Sequence, residues 1–96
     1  MNHTPFTTRP MHGGTQKVYR FDNGFGASVV QHQFSYGGQS GKWELGVVKF
    51  DGEDWHLAYD TDIADDVLGY LSDAEVSELL DRIAALSADG RELNAA

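Results

Sequence analysis

The chain has 96 residues, 15 acidic against 7 basic side chains, a formal charge of −8 and no cysteine. That length holds one small domain with a single core, and the lack of cysteine excludes disulfides, thiolate metal sites and cysteine nucleophiles. No apolar run approaches the roughly 20 residues that a membrane helix needs, so the expectation is a soluble cytoplasmic protein with no membrane partner.

The charge is unevenly placed. Residues 1–50 carry five cations (Arg9, Lys17, Arg20, Lys42 and Lys49) against Asp22 and Glu44, a net of +3. Residues 51–96 carry only Arg82 and Arg91 against 13 acids, a net of −11. An acidic half repels phosphates and attracts basic partners.

In chain order, residues 1–15 contain both prolines, His3, His12, several threonines and Gly13-Gly14, with little to bury besides Phe6 and Met11. They read as a flexible N-terminal tail, followed by one domain over 16–87 and a frayed C-terminus over 88–96. From Gln16 to Asp60 aromatic and β-branched residues alternate with glycine turns, a strand signature. Lys17 to Phe21 is the first predicted strand, and Asp22-Asn23-Gly24 its hairpin turn. Phe25 to Tyr36 is the second. Its apolar side changes rows near Val29-Val30, which predicts a bulge. The loop from Gly37 to Gly41 leads to strands at Lys42–Lys49 and Glu53–Asp60.

Parity sets the expected register of that last hairpin. A three-residue loop, Phe50-Asp51-Gly52, pairs Lys49 with Glu53 and puts Trp43, Leu45, Val47, Trp55, Leu57 and Tyr59 on one face, with Gly52 left-handed. The other face would then show Glu44, Val48, Asp54, His56 and Ala58.

After Asp60 the period becomes helical. Ile63, Val67 and Tyr70 or Leu71 suit a short helix capped by Thr61 or Asp62. Ser72-Asp73-Ala74-Glu75 is a capping box, with Leu71 and Val76 as its hydrophobic staple. Val76, Leu79, Leu80, Ile83 and Leu86 recur at helical spacing, and Gly90 is the expected stop. The fold class is α+β: an antiparallel sheet of about four strands in two hairpins, then a short helix and a longer amphipathic C-terminal helix packed on one sheet face.

Three stretches carry a resemblance. They are Tyr19-Arg20-Phe21-Asp22-Asn23-Gly24-Phe25-Gly26-Ala27-Ser28-Val29-Val30; Tyr36-Gly37-Gly38 leading to Trp43-Glu44-Leu45-Gly46-Val47; and Tyr59-Asp60-Thr61 through Ile63, Val67 and Leu71 into the Ser72 helix. Together they span residues 16–86, and the pattern resembles small accessory proteins of uncharacterised role encoded by phages and prophages of actinobacteria. The resemblance implies a non-catalytic factor of the infected cell that binds host or phage proteins. It brings no active-site residues.

The chemistry-bearing residues agree with a non-enzyme. Asp60, Asp62, Asp65 and Asp66 offer hard oxygen ligands, but the order of a calcium loop fails, with no glycine sixth and no glutamate twelfth. Acids at a helix start serve its dipole equally well, so no metal and no cofactor is expected. His32 and His56 lie on predicted strands that bring them near one another, yet a histidine pair without a nucleophile is no mechanism. Ser28, Ser35 and Ser40 sit in no nucleophile elbow. Gly24-Phe25-Gly26 and Gly37-Gly38-Gln39-Ser40-Gly41 lack phosphate-loop spacing. Lys17, Arg20, Lys42 and Lys49 are too few on so acidic a chain for direct nucleic-acid binding. The expected partner is a host or phage protein with a basic patch, met by Asp62, Asp65, Asp66, Asp73, Glu75, Glu78 and Asp81. A sheet edge offers a route to a homo-oligomer. The alternative is a nucleic-acid mimic whose carboxylates occupy a DNA-binding enzyme, in an anti-restriction or anti-CRISPR role.

Overall fold

A computed structural model describes residues 3–92. Its elements in chain order are β1 (Thr7–Met11), β2 (Gly14–Arg20), β3 (Phe25–Gln31), β4 (Trp43–Asp51), β5 (Asp54–Leu57), β6 (Leu68–Leu71) and α1 (Asp73–Ala84). The fold is α+β. A six-stranded antiparallel sheet runs in the order β1-β2-β3-β4-β5, with β6 paired to the other end of β4's outer edge, and α1 packs on one face.

The amphipathic helix forms where its pattern places it. Ser72 accepts from the Glu75 N–H and the Glu75 carboxylate accepts from the Ser72 N–H, closing the capping box. Val76, Leu79, Leu80 and Ile83 are buried against Tyr19, Phe25, Ala27, Val29, Leu45 and Val47 of the sheet. The Asp22-Asn23-Gly24 turn also forms, with Gly24 left-handed at φ +89 and the Phe25 N–H bonded to Asn23 Oδ1 at 2.9 Å. Its Asn23 amide reaches across to the end of α1 and donates to the carbonyls of Ile83 (2.8 Å) and Leu86 (3.0 Å). Ile83 is in the last turn of α1, where carbonyls lack the usual i+4 partner; its own also accepts the Leu86 N–H, and Leu86 follows the helix. The helix therefore stops at Ala84, ahead of Gly90.

Five expectations need correction. The predicted tail does not stay out of the fold: residues 7–11 form β1, and His12 and Gly13, both at positive φ, make the two-residue turn into β2. The signal was the His12-Gly13 pair, which suits a hairpin turn with both central residues left-handed. Of the rest, residues 1–2 lie outside the described part. Likewise the C-terminal stretch, expected to fray, folds back over 86–92: Leu86 bridges Glu92, Ser87 N–H bonds the Arg91 carbonyl and Asp62 N–H the Gly90 carbonyl. Residues 93–96 lie outside the described part.

β3 ends at Gln31 and pairs with β4 without a bulge from Phe25 to Val30. Its apolar residues change rows because both faces of the sheet are buried here, Ala27 and Val29 under α1 and Val30 on the other side.

The β4–β5 hairpin turns on two residues, Gly52 and Glu53, and pairs Asp51 with Asp54, Phe50 with Trp55 and Val48 with Leu57. Trp55 and Leu57 thus lie opposite the helix, where they cover a second cluster of Val18, Val48 and Phe50. The expected register presumed one buried face, and the sheet has two.

The short helix before Ser72 does not form. Thr61 Oγ1 bonds the Ala64 backbone and Asp66 Oδ1 takes the Val67 N–H, local bonds that compete with helix. Leu68–Leu71 instead extend along the free edge of β4 as β6, which makes six strands and one α-helix among the described residues.

The face away from α1 is concave. Met11 of β1 and Trp55 of β5 line one cavity of about 240 Å³, together with Gln16, Ser28, Val30 and Glu44. Four spacings of about 4.8 Å would hold those strands roughly 19 Å apart if the sheet were flat, so the sheet curls inward on this side.

Candidate functional site

The carboxylates named from the sequence divide into committed and free. Asp62 pairs with Arg91 (3.2 Å) and accepts the Glu92 N–H. Asp73 accepts the indole N–H of Trp43 at 2.7 Å. Glu75 closes the capping box, and the Ser72 backbone N–H, then its hydroxyl, hold this carboxyl below the usual range. Asp81 meets His3 at 2.7 Å. Arg82 binds Glu92, which lowers the Glu92 carboxyl and raises the guanidinium. Glu78 lies one turn before Arg82 and lines a groove of about 310 Å³ between α1 and β6 with Glu75, Leu68 and Leu71. Asp66 is exposed and bonds only its neighbour's N–H. Asp65 is exposed, with no side-chain bond among the described residues.

The structure therefore sets Glu75 and Glu78 beside Arg82 along one groove, places Asp62 on Arg91, and engages Asp73 and Asp81 elsewhere, with Trp43 and His3. Both cations of the acidic half are paired within it, Arg82 with Glu92 and Arg91 with Asp62. Uncompensated acids lie at Asp60, Asp65, Asp66 and Asp89, and at the β4–β5 tip, where Asp51, Glu53 and Asp54 are all exposed and form no ion pair among the described residues. Asp51 stands directly opposite Asp54. Like charges so placed repel.

The concave groove is the second candidate. Arg9 Nε donates to Gln16 Oε1 (2.6 Å), and Gln16 Nε2 to Ser28 Oγ (2.9 Å), a polar chain across β1, β2 and β3. Gln16 is buried and fully satisfied by it. His32 Nδ1 accepts the Phe34 N–H at 3.1 Å, which leaves Nε2 as the ring's donor. Glu44 accepts the Tyr36 N–H. Trp55, Leu57 and Val67 make the apolar wall. At about 240 Å³ the groove is smaller than the roughly 300–1,000 Å³ of ordinary small-molecule sites. It suits one or two side chains of a partner.

His32 and His56 are not brought together. His32 belongs to the concave side, its ring edge-on to His12 at 5.0 Å. His56 pairs with Lys49 on the α1 side. Among the described residues no three metal-ligating side chains converge.

A further surface was not anticipated. Phe34, Tyr36 and Tyr70 are 71%, 60% and 66% exposed. The sequence pattern places Phe34 and Tyr36 in a strand and Tyr70 in a helix. Gly37-Gly38 mark Phe34 and Tyr36 as belonging to a turn, whereas Tyr70 lies in β6. Tyr70 is left-handed at φ +56, a conformation that costs a bulky residue of order 1–3 kcal/mol.

No helix among the described residues is long and apolar enough to cross a membrane. Comparison with protein-family models, with curated proteins and with solved structures finds no match.

Proposed function

We propose that this chain is a non-catalytic binding module of the bacterial cytoplasm, an accessory protein of phage type whose acidic surface takes a basic patch of a host or phage protein. The observation that carries the reading is the supply of exposed carboxylates without a cation partner, at Asp65, Asp66 and the β4–β5 tip. Such groups cost nothing to desolvate beyond their own hydration and give fast, salt-sensitive association. A nucleic-acid mimic needs a longer row of free carboxylates. Here Asp62, Asp73, Glu75 and Asp81 already serve Arg91, Trp43, Ser72 and His3.

The test is retention from an actinobacterial lysate on the tagged full chain, with and without nuclease, across a salt series. The expected result is a stoichiometric protein that survives nuclease, elutes as salt rises, and is weakened by the Asp65→Asn/Asp66→Asn/Glu78→Gln variant. Retention of nothing, or of material lost on nuclease treatment, would overturn the reading.

A further inference from the structure

Three strands edge the sheet, β1, β5 and β6; on β6 the Tyr70 N–H already bonds the Tyr36 carbonyl, and β1 and β5 are finished differently. On β1, the Met11–Gly14 pair closes a two-residue turn, so Arg9 directs its backbone groups to β2 while Thr8 and Pro10 direct theirs outward. Pro10 has no N–H to offer. That edge is blunted as edge strands commonly are.

On β5 the Ala58 N–H bonds the Val47 carbonyl at 2.8 Å. With the register Lys49 to His56 and Asp51 to Asp54, alternation makes these the hydrogen-bonded pairs. The N–H and C=O of Trp55 and Leu57 therefore point away from β4. β5 pairs with no other strand among the described residues. This edge carries no proline. What guards it is charge: Asp51, Glu53 and Asp54 at its start.

We infer that β5 is a docking edge for an extended segment of another protein with alternating basic and apolar residues. The inference rests on the acidic-surface reading above and names the place and the partner's chemistry. Added strands bind through main-chain hydrogen bonds and are selected by alternate side chains. The partner's main chain bonds the four free groups of Trp55 and Leu57. Its apolar side chains fall on the concave side against the Trp55 and Leu57 side chains. Its Lys or Arg side chains fall on the other side, beside Asp54 and the tip acids, and relieve the Asp51–Asp54 repulsion. A second copy is a poor occupant, because it brings the same three acids to the junction.

The probe is an eight-residue peptide of alternating lysine and valine, titrated into the isotopically labelled full chain, with octalysine and an alternating glutamate–valine peptide as comparisons. The Lys–Val peptide is expected to shift the Trp55 and Leu57 amides and slow their hydrogen exchange at least ten-fold. Octalysine is expected to do neither, and the glutamate peptide not to bind. The Asp51→Asn/Glu53→Gln/Asp54→Asn variant keeps the fold and binds the Lys–Val peptide about five-fold more weakly, the sum of three exposed pairings. Binding that moves only the α1 and 62–66 amides would overturn the docking edge and leave the acidic-surface reading standing. Absence of any binding would overturn the edge as well, and the lysate retention then judges the wider reading by itself.

Discussion

Asn23 joins the first hairpin turn to the far end of the helix, and its replacement tests whether that joint holds the fold. Its amide N–H groups serve the Ile83 and Leu86 carbonyls, and its Oδ1 takes the Phe25 N–H, three bonds of 2.8, 3.0 and 2.9 Å. The site is half-buried, so Asn23→Ala leaves those backbone groups poorly solvated. At about 1 kcal/mol net for each bond the loss is about 3 kcal/mol. For a domain of this size that lowers the melting temperature by roughly 12–24 °C. Asn23→Asp keeps the Phe25 bond but sets a carboxylate among carbonyl oxygens at the negative end of α1. It should be less stable than Asn23→Ala at pH 7. The introduced Asp has a folded pKa raised above its unfolded value, so its penalty is present above the folded pKa and relieved as pH falls through it. Urea and thermal unfolding followed by far-ultraviolet circular dichroism, at pH 7 and pH 4, measures both. The joint is refuted if Asn23→Ala costs under about 0.5 kcal/mol, the range of an ordinary surface change, or if the two variants match at pH 7.

Four further outcomes are expected. Ser72→Ala removes the helix cap and costs about 1 kcal/mol, and an NMR titration should show the Glu75 carboxyl moving up toward its usual range, part-way only because the Ser72 backbone N–H remains. Glu75 has a folded pKa below its unfolded one, so its contribution is present above the unfolded value and lost as pH falls through the folded one; Glu75→Gln should flatten the acid limb of the stability profile. Gly26→Ala should fail to fold or lose several kcal/mol, since a Cβ there collides with the Tyr19 carbonyl oxygen and lies 2.8 Å from the Phe50 ring; soluble yield and urea midpoint report it. Tyr70→Gly should raise the melting temperature, because it releases a left-handed φ at a side chain that is 66% exposed.

What could be read in advance follows from how local each signal is. The Ser72 capping box, the helix face Val76–Ile83 and the Asn23-Gly24 turn are each set by side chains within a few positions, and each forms as expected. The β4–β5 register was misjudged for a different reason. Parity settles register only when one face is known to be buried, and Val48 and Phe50 are as buried as Leu45 and Val47. The expected bulge failed on the same point, and the second strand stops early because Ser35 Oγ takes the His32 N–H and the Ser35 N–H bonds the His32 carbonyl, closing a turn. The short helix failed on two counts: Thr61 and Asp66 bond the nearby backbone, and the edge of β4 near Trp43 takes Leu68 and Leu71, the second a non-local demand that no window of sequence contains.

The candidate site was legible as a total and illegible as a map. Counting places 13 acids and two cations after residue 50, and any of those acids is then an equal candidate. The fold breaks that equality by spending Arg82 on Glu92 and Arg91 on Asp62, and by giving Asp73 and Asp81 to Trp43 and His3. Neutralised or hydrogen-bonded carboxylates have less to gain from a partner, since their hydration is already partly replaced. The three at the hairpin tip retain their full hydration and repel each other across the Asp51–Asp54 pair. They also border β5, an edge strand whose outward N–H groups no proline removes. Affinity for a basic strand is thus concentrated by the pairing of cations elsewhere, so that charge reversal of Arg82 or Arg91 would spread the negative surface without strengthening the edge.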